Sequence, residues 1–275
     1  MSDDALATWY KVREQVDWSS APSVSPAPVR PVVDGLAAWF EGPVRLRDPD
    51  RADRLLAAMT LSRAAASRGE LLAPALLTGW QQLVLGVNEV RLRQSDAFAK
   101  DGRERYGLTP RTWQDFAACL HQSADPSVPL PARAARAYLD IAFFHPYPDG
   151  NARLALLVLA HVLEREGVRL DEVGPLQTTR YADDPDGALD LAVLVTVLIR
   201  ATRRRACSSC TQGSPGNISR RNSAAARART AGGAWPSGPG PGCGPGCTRS
   251  CSPSCAVRTP WTSPGRPSTA PPYGH

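Results

Sequence analysis

Apolar residues recur through the first 200 positions at spacings of three and four with polar residues between them, a period that predicts helices rather than strands. A short N-terminal helix gives way at Asp17 to a Pro- and Ser-rich stretch ending near Pro31, which reads as a linker. Helical patterns follow over Asp53 to Ser67 and Leu71 to Leu85, with Gly69 between them and Gly86 closing the second. Thr109 before Pro110 predicts a cap and a first helical position, opening a helix over Arg111 to His121. Pro131 opens another that runs to Phe144. From Asn151 to Glu166 the pattern is apolar on nearly every face as far as Leu163, which predicts a central, buried helix stopped by Gly167. A last helix is expected from Asp186 to about Arg203.

Between Gly86 and Gly107 the period changes. Val87, Val90 and Leu92 precede polar residues, Asp101-Gly102 is a turn signal, and Arg103 to Tyr106 can pair back as a short strand. From the residues alone a β-hairpin and a plain surface loop are both open readings.

Charge divides the chain. Residues 201–275 hold ten Arg and no Asp, Glu or Lys, so the net charge of +6 is a body near −4 carrying a tail of +10. The basic balance belongs to the tail and says little about what the body binds. That tail has no Leu, one Ile and one Val against 11 Pro and 11 Gly, so it is expected to be disordered for want of a core. The abrupt change after Arg205 is also what an out-of-frame reading of GC-rich DNA gives. Six of the seven Cys lie there, with one Cys-x-x-Cys at Cys207 and Cys210 and a loose run from Cys243 to Cys255, which is not the spacing of a zinc module. Trp235, Trp261 and Tyr273 are too sparse to interleave with the arginines, so no specific nucleic-acid partner is expected. Met1 to Asp17 lacks the apolar segment of a signal peptide, and the apolar run Ala188 to Ile199 is too short to span a bilayer. A cytoplasmic location without a membrane partner is the expectation, and the lone Cys119 of the body fits it.

The chemistry concentrates in His145-Pro146-Tyr147-Pro148-Asp149-Gly150-Asn151-Ala152-Arg153, which runs straight into the buried helix. Gly150 and Asn151 tolerate the backbone angles that let several amide N–H groups converge. The helix that follows adds unpaired N–H groups and the positive end of its dipole, making an anion pocket. Arg153 can add a bidentate contact to a phosphate. Asp149 stands where a carboxylate can hold Mg²⁺ bridging phosphate oxygens. His145 can take a proton from a hydroxyl near pH 7. The other histidines, His121, His161 and His275, read as structural or terminal residues.

This segment resembles the signature of the Fic/Doc (Fido) family, His-Pro-Phe-x-(Asp/Glu)-Gly-Asn-Gly-Arg-x-x-Arg in Fic members. His145, Pro146, Asp149, Gly150, Asn151 and Arg153 match, Tyr147 replaces one aromatic by another, and Ala152 replaces a glycine. The resemblance implies an all-α Fido helical bundle with a short β-hairpin flap that holds a target segment by strand addition. The implied layout is an N-terminal helix and linker over 1–35, the Fido domain over 36–203 and the basic tail over 204–275. It implies a transferase moving AMP from ATP to a Ser, Thr or Tyr hydroxyl of a target protein. His145 would be the general base, Asp149 the Mg²⁺ ligand, and Gly150, Asn151, Ala152 and Arg153 the phosphate cradle. The family also admits an antitoxin or inhibitory partner.

One departure bears on the reaction. Where Fic enzymes that transfer AMP carry a second Arg, this chain has Leu156, which cannot bind phosphate. That end of the motif looks closer to the Doc branch, whose members are protein kinases, so a kinase toxin and a degenerate nucleotide-binding regulatory protein remain alternatives. The string Ala37 to Gly42 lacks the leading hydroxyl of the family's inhibitory helix, and Glu41 is given no inhibitory role.

Overall fold

The computed structural model describes residues 4–211. In chain order these form α1 (Ala5–Gln15), α2 (Gly35–Trp39), α3 (Pro49–Ser67), α4 (Pro74–Leu85), β1 (Ala97–Ala99), β2 (Glu104–Tyr106), α5 (Thr112–His121), α6 (Leu130–Phe144), α7 (Asn151–Arg165) and α8 (Pro185–Thr211). The body is helical apart from one antiparallel hairpin, in which Ala97 faces Tyr106 and Ala99 faces Glu104. Of the two readings of the segment after Gly86, the hairpin is the one that forms. Its turn places Lys100, Asp101 and Gly102 at positive φ. Among the described residues no helix is long and apolar enough to cross a membrane.

Helices α6 and α7 form the central pair, with α8 against α6 and with α3 and α4 against α7. Leu154, Leu157, Val158, Leu159, Val162 and Leu163 of α7 are all buried. Each such side chain withdrawn from water contributes roughly 1.5–3 kcal/mol, so an all-round apolar sequence finds its place only at the centre. One polar exception, His161, is buried with Nδ1 3.2 Å from the Ser62 carbonyl and Nε2 3.0 Å from the Glu70 carbonyl, and so ties α7 to the end of α3.

Helix starts follow local chemistry. Asp4, Asp34 and Asp48 accept from the first free amides of α1, α2 and α3, and Pro49 takes the first position of α3. Gly86 ends α4 in the left-handed conformation. The cap expected at Thr109 differs: α5 begins at Thr112, because Thr109 turns back on it, its amide donating to the Thr112 hydroxyl at 2.9 Å. An unpredicted element also appears, α2 continuing into a π-helical turn at Phe40–Val44 that contains Pro43.

The Pro- and Ser-rich segment is packed down rather than free. Val29 exchanges backbone hydrogen bonds with Gly167 and Arg169 across the end of α7. Arg200 donates to the Ser23 carbonyl at 3.1 Å, and Arg203 donates to the Ser25 and Ala27 carbonyls at 3.1 and 2.9 Å. Prolines leave such a segment with carbonyls but few donors, and the arginines of α8 answer them. Arg205 pairs with Asp171, and α8 runs on to Thr211, past the Arg203 where the period gave out. What the sequence implies for residues 212–275 lies outside the described residues.

At the other face of α6, buried Asp140 accepts from the Trp9 indole at 3.0 Å and from Arg13 Nε and Nη2 at 2.7 and 3.1 Å. This buried ion pair fixes α1 on the bundle, and removing one partner strands the other in a dry site. Asp140→Ala is expected to lower unfolding free energy by about 3–5 kcal/mol, read by urea denaturation; a loss below about 1 kcal/mol would contradict this account.

Candidate active site

His145 is the residue at which α6 stops. It takes a left-handed backbone, φ 48°, and its amide donates to the Ile141 carbonyl at 3.3 Å. A non-glycine residue held there costs about 1–3 kcal/mol, so the surroundings must impose it. They do so largely through Arg93, whose Nε donates to the His145 carbonyl at 2.9 Å, Nη2 to Phe144 at 3.2 Å and Nη1 to Ser95 at 2.7 Å. The Arg93 backbone amide donates to Pro146 at 3.0 Å, and the guanidinium lies over Trp113. One buried cation thus answers the open carbonyls at the end of α6 and joins them to the stem of the hairpin.

The imidazole stacks on Tyr106 of β2, ring centroids 4.8 Å apart and planes 10° from parallel. Nδ1 lies 3.4 Å from the Ala142 carbonyl, so the tautomer protonated at Nδ1 leaves Nε2 with a free lone pair. Burial holds the His145 pKa below the ordinary histidine value; the Ala142 carbonyl acts against that, and the Arg93 charge acts with it.

The loop then turns into α7. Tyr147 is fully buried and its hydroxyl meets Thr78 at 3.0 Å, a contact a phenylalanine could not make. Gln81 of α4 donates to the Asp149 carbonyl. Gly150 caps α7 at φ 81°, a backbone conformation that favours glycine, and a Cβ there would press on the Gln81 amide. Asn151 spends its side chain on the loop: Oδ1 accepts from the Tyr147 amide at 3.0 Å and Nδ2 donates to the Tyr147 carbonyl at 2.7 Å. What Asn151 and Ala152 have left to offer at the start of α7 is backbone N–H. Asp149 is 77% exposed; its Oδ1 accepts from Gly150 and its Oδ2 from Arg153 Nη2 at 2.9 Å.

Two cavities flank this turn. His145, Asn151 and Ala152 line one of about 330 Å³, roofed by Tyr106 and Lys100 of the hairpin and closed by residues 177–180. Arg153 lines the other, about 260 Å³, together with Leu156, and Gln177 borders both. Asp149 and Gly150 line neither, although they form the corner between His145 and α7. Among the described residues no three of His, Cys, Asp or Glu gather to hold a metal ion. Magnesium held by one carboxylate and by phosphate oxygens requires no such cage, and the exposed Asp149 oxygens fit that mode.

Arg93, Gln81, Thr78 and Tyr106 were not singled out by the sequence for this site. Each acts on the loop from 39 to 69 residues away, and isolated polar residues in a helix or hairpin carry no spacing that says so. Arg93→Ala leaves several buried carbonyls unpaired. The expected result is a loss of about 1–3 kcal/mol in denaturant unfolding, with faster hydrogen exchange at residues 145–153; unchanged exchange there would contradict the clamp.

No protein-family model matches the sequence, and no curated protein does either. Solved structures do match. A Fic-domain-containing signalling protein from Bacteroides thetaiotaomicron is 15% identical, with 74% of this chain and 84% of that one covered and a TM-score of 0.41. Fic-1 from C. elegans is 14% identical over 76% and 73%, TM-score 0.42. An IbpAFic2 variant, solved in complex with adenylylated Cdc42, is 11% identical over 70% and 76%, TM-score 0.47. What the chain is similar to, in these comparisons, is the group of Fic-domain proteins.

Proposed function

We propose that the chain is a Fic-like transferase that moves AMP from ATP to a hydroxyl side chain of a target protein. The observation that carries the proposal is the cavity in which His145, its Nε2 unengaged, opens beside the amide-rich first turn of α7 within a segment that resembles the Fido signature. A Ser, Thr or Tyr hydroxyl entering that cavity loses its proton to His145 Nε2 as its oxygen bonds to the α-phosphorus. The bond from that phosphorus to the bridging oxygen breaks, and pyrophosphate leaves. Amides of Asn151 and Ala152 at the positive end of α7 offset charge developing on the phosphoryl oxygens. Asp149 would hold Mg²⁺, which supplies further neutralisation of phosphate charge. Gly150 lets the turn close tightly enough to aim those amides. Beyond the cavity, β1 pairs only with β2 among the described residues and Phe98 is exposed, so the outer edge of β1 is open to an extended target segment.

Phosphoryl transfer is the second reading, favoured by Leu156. The side chain is buried, 3% exposed, and gives the phosphate site no second cation from α7. The experiment that separates the readings incubates the full chain with cell lysate, Mg²⁺ and ATP labelled at the α or the γ phosphate. The expected outcome is protein label from α that disappears in His145→Ala. Label from γ alone would replace AMP transfer by phosphoryl transfer, and no His145-dependent label would overturn both in favour of a binding protein.

The pH dependence follows from burial. The neutral imidazole is the reactive form, and its pKa is held below the usual value of about 6.5. Transfer should therefore be flat above neutrality and fall as pH drops through the depressed pKa; an acid limb centred above about pH 7 in a kcat/KM profile would contradict His145 as the base.

A further inference from the structure

We infer that the cavity on the far side of the α7 turn is a polyphosphate subsite built by Arg47 and Arg51 with Arg153. Arg47, Arg51 and Arg153 line one concavity none of whose lining residues is acidic, and Arg153 also pairs with Asp149 beside it at 2.9 Å. Arg47 stands in the turn before α3, where its amide donates to the Val44 carbonyl, and Arg51 lies in the first turn of α3. Neither is committed to the core. Arg51 pairs with Asp48 of its own turn at 3.1 Å and is 46% exposed, and no carboxylate pairs with Arg47 among the described residues.

Trp39 and Leu156 give the cavity apolar wall beneath those charges. Guanidiniums over such a wall are more weakly solvated than in open water and bind phosphate oxygens bidentately. Gln177 borders this cavity and the one that holds His145, and the first turn of α7 lies between them, with Ala152 facing one and Arg153 the other. A ligand whose reacting phosphate sits on the α7 amides has its remaining phosphates directed along this path. The chemical class is therefore the di- or triphosphate end of a nucleotide. The cations that α7 does not provide at Leu156 come from the start of α3.

The inference rests on the transferase reading for the origin of the polyphosphate, but binding tests it without turnover. Full-length protein is titrated calorimetrically with inorganic triphosphate and, separately, with AMP, as wild type and as the double variant Arg47→Ala/Arg51→Ala. Wild type should bind triphosphate, and the double variant at least about tenfold more weakly, with a shallower salt dependence and AMP affinity within about twofold of wild type. Both arginines are exposed, and an unchanged thermal midpoint is expected in the variant. Equal triphosphate binding by the two proteins, or none by wild type, would overturn the subsite. If triphosphate binding depends on Arg47 and Arg51 but no label is transferred, the subsite stands and the transferase reading falls. Transfer that survives with unaltered triphosphate affinity removes the subsite alone.

Discussion

A helix end is an unfinished hydrogen-bond network, and the six residues from His145 to Gly150 join two such ends inside one protein core. At the end of α6 the open carbonyls must find donors away from water; at the start of α7 the open amides must find acceptors. The protein treats the two ends differently. Arg93 answers carbonyls at the first, while the Asn151 side chain spends itself on the Tyr147 backbone, so that the amides at the second stay available. The left-handed His145, the left-handed glycine at 150 and the buried Tyr147 are all consequences of closing this connection with one end satisfied and the other left open.

The same asymmetry sets the electrostatics. A carboxylate at the opening of α7 would ordinarily occupy the amides and cancel the dipole; here Asp149 is turned outward, bonding to Gly150 and Arg153 at the rim. Arg13, Arg30 and Arg169 are held by Asp140 and Glu164 elsewhere on the bundle, so those cations are already matched. The apolar mass of α7 beneath the turn keeps the dielectric low and the amides fixed in direction. Fixed dipoles need no reorganisation when charge develops before them.

Much of this was legible in the chain. The helical period located α3, α4, α6 and α7 to within a few residues because each has one continuous apolar face or is apolar throughout. The nine-residue signature located the loop because glycine, asparagine and proline there serve backbone geometry that few other residues supply. Legibility failed where the determinant lies far away in sequence. No element was expected over residues 35–44, yet Gly35–Val44 is helical, held against residues 170–172 so closely that a Cβ on Gly35 would collide with the Asp171 carbonyl carbon. Asn151 was read as part of the phosphate cradle by its place in the signature. Its side chain also closes the loop, a role that spacing does not encode.

The strap over residues 22–29 has a consequence for how the chain is made. Its carbonyls are held by Thr196, Arg200 and Arg203 and its one backbone pairing by residues 167–169, while Trp9 and Arg13 wait for Asp140. During synthesis the N-terminal segment therefore leaves the ribosome well before its partners exist. Its docking must be among the last steps, and a chain stopped before α8 would leave the carbonyls of Pro22, Ser23, Ser25 and Ala27 without these donors. Completion of α8 is thus the event that fastens the strap.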